Sequence, residues 1–303
     1  MGESALGVLD KKVVIVTGAG RGIGRTTALA IATEGGDVVV NDIGIDPSGN
    51  EGMSWAETTA ADIRKRGGSA ISHTQSIGED STSTTLVSMA LNKFGRLDGI
   101  VNNAGMLRDK IFHKLTPEDW DIVMNVNLRG SFLLARAAAR VFRDQHAGSM
   151  VHITSGVGLI GNVGQANYAA SKLGLVALST SVALDLKPFG VRSNCVAPFA
   201  WNDKMAHLPI EKKYIDEARQ FSPEQIAPLI VCLLSDLSAG VSGQIFGIAG
   251  NEVCIYSQAR PVRVLRHTEP WSATALAHEA LPFLRPSFSG PERTVDVFNW
   301  YSK

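Results

Sequence analysis

Short apolar segments alternate with longer mixed segments along the chain up to about residue 255. The run KVVIVTG, residues 12–18, is largely apolar and ends in glycine, which is typical of a strand buried on both faces of a sheet. Because strands and helices alternate, the sequence predicts an α/β fold in which a doubly wound parallel sheet carries helices on both faces. Further strands are predicted at 37–42, 97–105, 148–155, 190–198 and 243–250, and helices near 23–34, 54–67, 80–94, 117–143, 167–186 and 223–235.

The composition argues against several classes of protein. The 303 residues carry 29 basic and 29 acidic side chains, so no net charge would attract nucleic acid or an anionic membrane. No segment of the sequence is long and apolar enough to span a membrane. Cys195, Cys232 and Cys254 lack metal-ligand spacing and accompany apolar runs, which predicts buried free thiols and no metal site. Neither end matches a secretion signal or the peroxisomal Ser-Lys-Leu address, so we expect a cytoplasmic protein.

A glycine-rich loop follows the first predicted strand. In TGAGRGIG, residues 17–24, the spacing is G-x-x-x-G-x-G through Gly18, Gly22 and Gly24. Glycines at a strand-to-helix turn let the backbone approach a pyrophosphate, and the helix N-terminus supplies amide donors and partial positive charge. The context predicts a dinucleotide site of the Rossmann type, with a tight turn that binds nothing as the alternative. No lysine follows the glycines, which argues against a nucleotide triphosphate loop.

Two charged residues bear on which dinucleotide would bind. Asp42 ends the second strand, and an acid there can accept both hydroxyls of an adenosine ribose while repelling a 2′-phosphate. Arg21, inside the glycine loop, favours the opposite choice because an arginine can pair with that phosphate. In a half-buried site, repulsion between a carboxylate and a phosphate costs more free energy than pairing with a flexible arginine contributes. The sequence therefore predicts NAD rather than NADP.

Ser155, Tyr168 and Lys172 are predicted to meet in one crevice. Ser155 ends a strand, and Tyr168 and Lys172 lie four residues apart on one face of the next helix. The end of a parallel strand and the start of the following helix share the sheet edge where ligands bind. For the tyrosine and lysine alone, a half-buried ring beside a lysine that reaches water is the alternative explanation.

With these residues in place, the chain resembles the short-chain dehydrogenase/reductase family. TGAGRGIG, NNAG at 102–105, Asn127 in NVNLRGSF, Ser155 and YAASK occur in the family's order and spacing over about residues 10–250. The segments VVVND, MLRDKIF, EDWDIVMNVNLRGSF and GNVGQANYAASKLGL are similar to (3R)-hydroxyacyl-CoA dehydrogenases, both those of peroxisomal multifunctional enzymes and their bacterial relatives.

The resemblance implies an NAD-dependent enzyme that interconverts a secondary alcohol and a ketone by hydride transfer. It implies that Tyr168 is the acid–base group, that Ser155 donates to the substrate oxygen and that Asn127 holds a water in a proton relay. Lys172 would also bind the nicotinamide ribose. By Coulomb's law, a lysine ammonium at about 4 Å, together with the oxidised nicotinamide, would favour the phenolate and lower the pKa of the phenol from about 10 by roughly three. The implied cofactor contacts are Gly18, Arg21, Gly22, Ile23, Gly24, Asp42, Gln75, Ser76, Asn103, Ala104, Gly105, Tyr168 and Lys172.

The sequence departs from the family's pattern near its cofactor site. Phe199 follows Pro198 where the family has glycine, and no threonine follows in APFAWNDKM to bind the nicotinamide amide. Gln75 stands where an acid often meets the adenine, although its carbonyl can accept the same hydrogen bond. Asn127 follows the general family, since the peroxisomal relatives have histidine there.

The segment 199–221 is expected to close over the substrate. Its apolar residues indicate a large apolar substrate group or packing on the fold, and Lys212 and Lys213 could meet coenzyme A phosphates or simply face solvent. We predict a 3-hydroxyacyl-CoA, with a hydroxysteroid or other bulky secondary alcohol as the alternative. A non-catalytic dinucleotide sensor or scaffold is the alternative from a different class, which the complete set of catalytic residue types disfavours. The apolar residues of the segment 199–221 are Phe199, Trp201, Met205, Leu208 and Ile210.

Beyond the catalytic domain, predicted at 1–255, residues 256–303 show no strand periodicity and are too few for an independent domain. We expect this extension to pack over the substrate crevice of its own or a neighbouring subunit. The aromatic residues of the extension are Trp271, Phe283, Phe288, Phe298 and Trp300.

Two predicted helical segments are more apolar than the surface helices of a monomer need to be: NLRGSFLLARAAARVF and YAASKLGLVALSTSVALDL. This apolar character predicts a homodimer or homotetramer.

Overall fold

The computed structural model describes residues 7–44, 54–201 and 219–298. Its strands are β1 Val13–Thr17, β2 Asp37–Asn41, β3 Ala70–His73, β4 Gly99–Asn102, β5 Gly148–Ile153, β6 Val191–Phe199, β7 Ile245–Ala249 and β8 Glu252–Ile255. They form one sheet in the order β3-β2-β1-β4-β5-β6-β7-β8, and β1 to β7 are parallel. The predicted doubly wound parallel sheet is confirmed.

Helices cover both faces of this sheet: α1 Gly22–Thr33, α2 Trp55–Lys65, α3 Asp80–Phe94, α4 Pro117–Val123, α5 Gly130–Gln145, α6 Ala166–Asp185 and α7 Ala227–Leu234. Along β1, Val14 and Val16 pack with α1, α2 and α7, whereas Val13 and Ile15 pack with α3 and α5. Two-sided burial explains why β1 is an unbroken apolar run rather than an alternating one. Within the described ranges, no helix combines the length and apolar character needed to cross a membrane.

The predicted helix 117–143 contains an interruption. Thr116 caps its start by accepting a hydrogen bond from the Asp119 amide at 3.2 Å. Residues Met124–Arg129 then form a π-helical segment before α5 begins. Segments of this kind are frequent at functional sites and leave the apolar periodicity of the flanking turns nearly unchanged. The hydrophobic pattern therefore did not predict the π-helical segment, which contains Asn127.

Two further features differ from the sequence-based prediction. The edge strand β8 runs antiparallel to β7 and was not predicted, because its four residues carry no clear alternation of apolar and polar side chains. Cys195 is buried and Cys254 partly so, but Cys232 is exposed. The prediction of a buried thiol is wrong for Cys232 because it lies on the outer side of α7, whose Ile230 and Leu233 face the core.

Candidate active site

The glycine loop between β1 and α1 depends on glycine at particular positions. Gly18 and Gly22 have φ angles of 62° and 54°, a region that other residues rarely adopt. A Cβ on Gly18 would lie 2.8 Å from Ala104 Cα, and one on Gly24 would lie 2.1 Å from the Gly18 oxygen. These positions therefore allow close packing of the loop. A Cβ on Gly22 would meet nothing within 4 Å, so the loop is open on that side.

A crevice of about 600 Å³ borders this loop at the carboxyl ends of β1, β2 and β4. Because β2 and β4 flank β1, this is the switch point where such sheets bind ligands. Its volume lies within the range of about 300–1,000 Å³ that is usual for ligand sites. Among the predicted cofactor residues, Gly18, Arg21, Asp42, Ser76, Asn103, Ala104 and Gly105 line it. Residues that the sequence did not single out also line it: Asn41, Ile43, Gly44, Trp55, Ile77, Met106, Leu107, Arg108 and Val126.

Other predicted cofactor residues lie beside the crevice rather than along its wall. Gly22 and Ile23 begin α1, and the Ile23 side chain packs against the hydrophobic core. Gly24 is buried against Gly18. Gln75 is exposed, and its backbone oxygen accepts a hydrogen bond from Asn41 Nδ2 at 2.9 Å. Contacts of Gly22 and Ile23 with a dinucleotide would therefore come from backbone atoms.

Asn103 joins the end of β4 to the glycine loop. Its Nδ2 donates to the backbone oxygens of Thr17 and Gly18 at 2.9 and 3.0 Å. Thr17 Oγ1 in turn accepts from the amides of Asn103 and Ala104, both at 3.1 Å. This mutual bonding fixes the position of the loop relative to β4. Asn103 thus supports the crevice as well as lining it.

The carboxylate of Asp42 is held at the β2 side of the crevice. Its Oδ2 accepts from the Gly20 amide at 2.9 Å, and its Oδ1 accepts from the Gly44 amide at 2.7 Å. A carboxylate oxygen has two acceptor positions, so each retains capacity for another donor. An acceptor fixed in this way suits the hydroxyls of a ribose.

Ser155, Tyr168 and Lys172 lie together, and Lys172 adjoins the crevice at Gly105. The Ser155 side chain lies close enough to Tyr168 to lower its pKa, and Lys172 Nζ lies 5.6 Å from the centroid of the Tyr168 ring. Lys172 is buried and donates to the Ile153 oxygen at 2.6 Å. A Cβ on Gly105, in the crevice wall, would lie 3.6 Å from Lys172 Nζ. Lys172 therefore adjoins the crevice at Gly105, and Tyr168 and Ser155 lie beside Lys172.

Asn127 lies next to Lys172, fully buried in the π-helical segment. Its Oδ1 accepts from the Met106 amide at 2.8 Å, and its Nδ2 donates to the Met106 oxygen and Ser171 Oγ, both at 3.1 Å. A Cβ on Gly105 would lie 3.5 Å from Asn127 Oδ1. Asn127 thus ties the π-helical segment to the loop after β4 and to the helix that carries Tyr168.

A model of the short chain dehydrogenase family matches residues 12–212, more than half of the chain. The chain belongs to this family. It is an oxidoreductase that acts on CH–OH groups, and the family uses NAD or NADP. The resemblance predicted from the glycine loop and the YAASK segment is confirmed.

Several known proteins are similar to this dehydrogenase. Peroxisomal multifunctional enzyme type 2 of Mus musculus is 40% identical over 240 residues, which cover 79% of this chain and 32% of that enzyme. The chain thus spans about a third of that relative's length. A hydroxyacyl-CoA dehydrogenase of Mycobacterium tuberculosis is 37% identical over 262 residues, covering 82% and 80% of the two chains. The crystal structure of a short chain dehydrogenase from Mycobacterium avium has a TM-score of 0.84 at 32% identity, covering 95% of this chain and 99% of that one.

The pKa values at the candidate active site differ from those expected from the sequence. Lys172 was expected to lower the pKa of Tyr168, but burial raises that pKa to about 12 and outweighs the hydrogen bond from Ser155. Burial also lowers the pKa of Lys172 to about 8. The reason is geometric, since Lys172 Nζ turns to the Ile153 oxygen and stays 5.6 Å from the Tyr168 ring centroid.

A buried histidine that the sequence analysis missed lies near Lys172. His152 is on β5, and its Nδ1 is 3.1 Å from Asn102 Nδ2. Burial, together with the charge of Lys172, lowers the pKa of His152 to about 4. His152 is therefore neutral near pH 7 and does not add a second positive charge beside the lysine.

The C-terminal extension contacts residues 156–161, a short helical turn capped by Ser155 and the loop after it, called here the Ser155 loop. The amide and hydroxyl of Thr294 both donate to the Gly161 oxygen at 3.0 Å. A Cβ on Gly156 would lie 2.8 Å from Thr294 Cγ2 and 3.4 Å from the Tyr256 hydroxyl. Tyr256 in turn meets Phe298 edge to face, with ring centroids 5.9 Å apart. Residues 292–298 thus lie against the Ser155 loop of the same chain.

Other aromatic residues of the extension remain accessible. Phe283 is 41% exposed and Phe288 is 60% exposed. Trp271 packs on His267 with ring centroids 4.6 Å apart. Trp300 lies outside the described residues.

Part of the expected substrate segment packs on itself. Phe199 meets Phe221 edge to face at 5.2 Å, and the Trp201 amide donates to the Phe221 oxygen at 2.6 Å. The guanidinium of Arg219 lies 5.5 Å from the Trp201 ring centroid. The remaining predicted residues lie outside the described ranges: Met205, Leu208, Ile210, Lys212 and Lys213.

Proposed function

We propose that this dehydrogenase uses NAD to interconvert a 3-hydroxyacyl-CoA and the corresponding 3-oxoacyl-CoA. The observation that supports the proposal is that Ser155, Tyr168 and Lys172 lie together and that Lys172 adjoins, at Gly105, a crevice that also contains Asp42. In this proposal, Tyr168 is the acid–base group and Asp42 binds the adenosine ribose of a dinucleotide that lies in the crevice.

In the proposed mechanism, the substrate oxygen lies between the hydroxyls of Ser155 and Tyr168. Ser155 donates a hydrogen bond that holds this oxygen, and Tyr168 takes its proton during oxidation and returns it during reduction. Lys172, when protonated, favours the Tyr168 phenolate electrostatically and binds the nicotinamide ribose. Asn127 keeps the loop at Gly105 in place and holds the water through which the proton reaches solvent. When bound, the dinucleotide supplies the hydride acceptor and a positive charge near the phenol.

The preference for NAD rests on the carboxylate of Asp42. Asp42→Ala should raise kcat/KM with NADP relative to NAD by about 10-fold or more, because repulsion of the 2′-phosphate is removed. Steady-state kinetics with both dinucleotides measure the ratio. Asp42→Asn is the matched variant, because it removes the charge and keeps the shape of the side chain. A wild-type enzyme that already prefers NADP would show that Arg21 outweighs Asp42.

The acyl-CoA substrate is supported by the similarity to a relative described as a hydroxyacyl-CoA dehydrogenase. A hydroxysteroid or another bulky secondary alcohol is the alternative within the same chemistry. The test is NADH formation with a panel of (3R)- and (3S)-hydroxyacyl-CoA esters, hydroxysteroids and simple secondary alcohols. Highest kcat/KM on one enantiomer of the acyl-CoA series supports the proposal. Highest kcat/KM on a steroid contradicts the acyl-CoA substrate, and turnover of none of them favours the non-catalytic sensor or scaffold.

We also propose that residues 1–255 form the catalytic domain and that the extension from residue 256 forms one wall of the substrate crevice.

Thr294→Ala removes a hydrogen bond to Gly161 and a methyl contact with Gly156. It should raise KM for the acyl substrate roughly 2- to 10-fold, the range expected for one such hydrogen bond. The dissociation constant of NADH should not change, and Thr294→Ser, which keeps the hydroxyl, should retain most of the affinity. Equal kinetics in all three proteins would show that the contact is passive.

Assembly and location belong to the same proposal. Phe132 on α5 and Leu173 and Leu184 on α6 are 43%, 52% and 69% exposed, an apolar character that suits contact with a second copy. We propose a homodimer, or a homotetramer through a second surface, in the cytoplasm. Small-molecule substrates, rather than nucleic acid or a membrane, are the proposed partners.

A further inference from the structure

The indole ring of Trp55 lies against the guanidinium of Arg21 in the dinucleotide crevice. Arg21 Cζ is 4.3 Å from the ring centroid, and both side chains line the crevice together with Asp42. A guanidinium within about 6 Å of an indole centroid is attracted by the negative face of the ring. Arg21 therefore has a defined position although it lies at the exposed start of α1.

The position of Trp55 is set by its surroundings. Its amide donates to the Gly44 oxygen at 3.2 Å. A Cβ on Gly44 would lie 2.1 Å from Trp55 Cε3, and one on Gly20 would lie 2.5 Å from Trp55 Cβ. Ser54 begins the helix by accepting from the Glu57 amide at 3.1 Å, which fixes the direction of the first turn. The indole is thus packed directly on two glycines.

These same two glycines hold the carboxylate of Asp42. Gly20 and Gly44 donate their amides to its Oδ2 and Oδ1. Among the ion pairs between described residues, none joins Arg21 to Asp42, although these two residues line the same crevice. Trp55 accordingly offers Arg21 a partner other than this nearby carboxylate.

We infer that Trp55 is a positioning residue that holds Arg21 away from Asp42 and from the ribose 2′ position, and thereby strengthens the preference for NAD. The inference rests on the proposed NAD-dependent function. Without the indole, the guanidinium can pair with Asp42, which would occupy the acceptor meant for the ribose hydroxyls. It can also reach the 2′-phosphate of NADP. Both changes shift the preference toward NADP.

The test compares Trp55→Leu, which keeps apolar bulk but has no aromatic face, with Trp55→Phe, which keeps one. In Trp55→Leu, the ratio of kcat/KM for NADP to that for NAD should rise about 2- to 5-fold, as expected for loss of one exposed cation–π contact. Isothermal titration calorimetry with NADH and NADPH should give the same shift in the ratio of dissociation constants. Trp55→Phe should show a smaller shift, and Trp120→Leu, a tryptophan outside the crevice wall, should show none.

A double-variant cycle with Arg21→Ala assigns the effect to the pair. Adding Trp55→Leu to Arg21→Ala should leave the ratio unchanged, because no guanidinium remains to be released. The inference is overturned if Trp55→Leu weakens both dinucleotides by one factor, if it shifts the ratio toward NAD, or if the shift persists without Arg21. Failure of the wild-type protein to bind either dinucleotide would refute the proposed function and this inference together. Wild-type binding of NADH with an unchanged ratio in Trp55→Leu would refute the inference alone.

Discussion

Tyr168→Phe lowers kcat by about 10²- to 10⁴-fold, the range that one positioned acid–base group contributes. The substitution keeps the ring and removes only the hydroxyl, whose pKa Ser155 lowers. Because the ring still packs beside Lys172, the affinity for NADH should remain within about 2-fold of the wild-type value. Stopped-flow or steady-state absorbance of NADH measures the rate, and calorimetry measures the affinity.

Tyr256→Phe is a matched control for this prediction. Tyr256 also lies near the Ser155 loop, with its hydroxyl 3.4 Å from the position of a Cβ on Gly156. It has no place in the proposed proton transfer, so its kcat should fall far less than that of Tyr168→Phe. Near-normal turnover in Tyr168→Phe, or an equal loss in both variants, would remove Tyr168 from its proposed role.

Lys172→Met should lower kcat by on the order of 10²- to 10³-fold and also raise KM for NAD. Methionine keeps most of the buried stem, whereas alanine would leave a cavity and confuse loss of charge with loss of packing. Both kinetic constants should change because Lys172 is given two roles, stabilising the Tyr168 phenolate and binding the nicotinamide ribose. A fall in kcat with an unchanged KM for NAD would exclude the ribose contact.

The melting temperature separates this result from unfolding. Lys172 has its pKa lowered by burial, so the folded protein bears a cost for keeping it charged. Replacing it with methionine should therefore leave the melting temperature equal or higher. Loss of activity accompanied by a large fall in melting temperature would indicate a structural role in place of the electrostatic one.

The sheet could be predicted because its strands are local patterns. Val13 to Val16 form an apolar run whether or not their neighbours are known, and a following glycine ends the strand. The pair Tyr168 and Lys172 could be placed on one helix face for the same reason, since the helical repeat alone fixes it. Ser155 could be added because strand ends in a parallel sheet share an edge.

Other features depend on contacts between distant segments and have no local signature. Trp55 reaches Arg21 across a separation of more than thirty positions, and the sequence pattern around Trp55 indicates only the start of a helix. The π-helical segment at Asn127 alters one turn without changing the apolar periodicity that surrounds it. The pKa of Tyr168 depends on burial, which sequence spacing does not reveal and which opposes the lowering expected from Lys172 and the oxidised nicotinamide.

The most direct test of the proposed reaction traces deuterium from the substrate to the dinucleotide. A 3-hydroxyacyl-CoA carrying deuterium at C3 is incubated with the dehydrogenase and NAD, and the NADH formed is analysed by mass spectrometry. We expect the wild-type enzyme to form NADH that is heavier by one deuterium, and we expect none from Tyr168→Phe on the same timescale. NADH without deuterium, or no NADH from any hydroxyacyl-CoA ester, would contradict the proposed hydride transfer from this substrate.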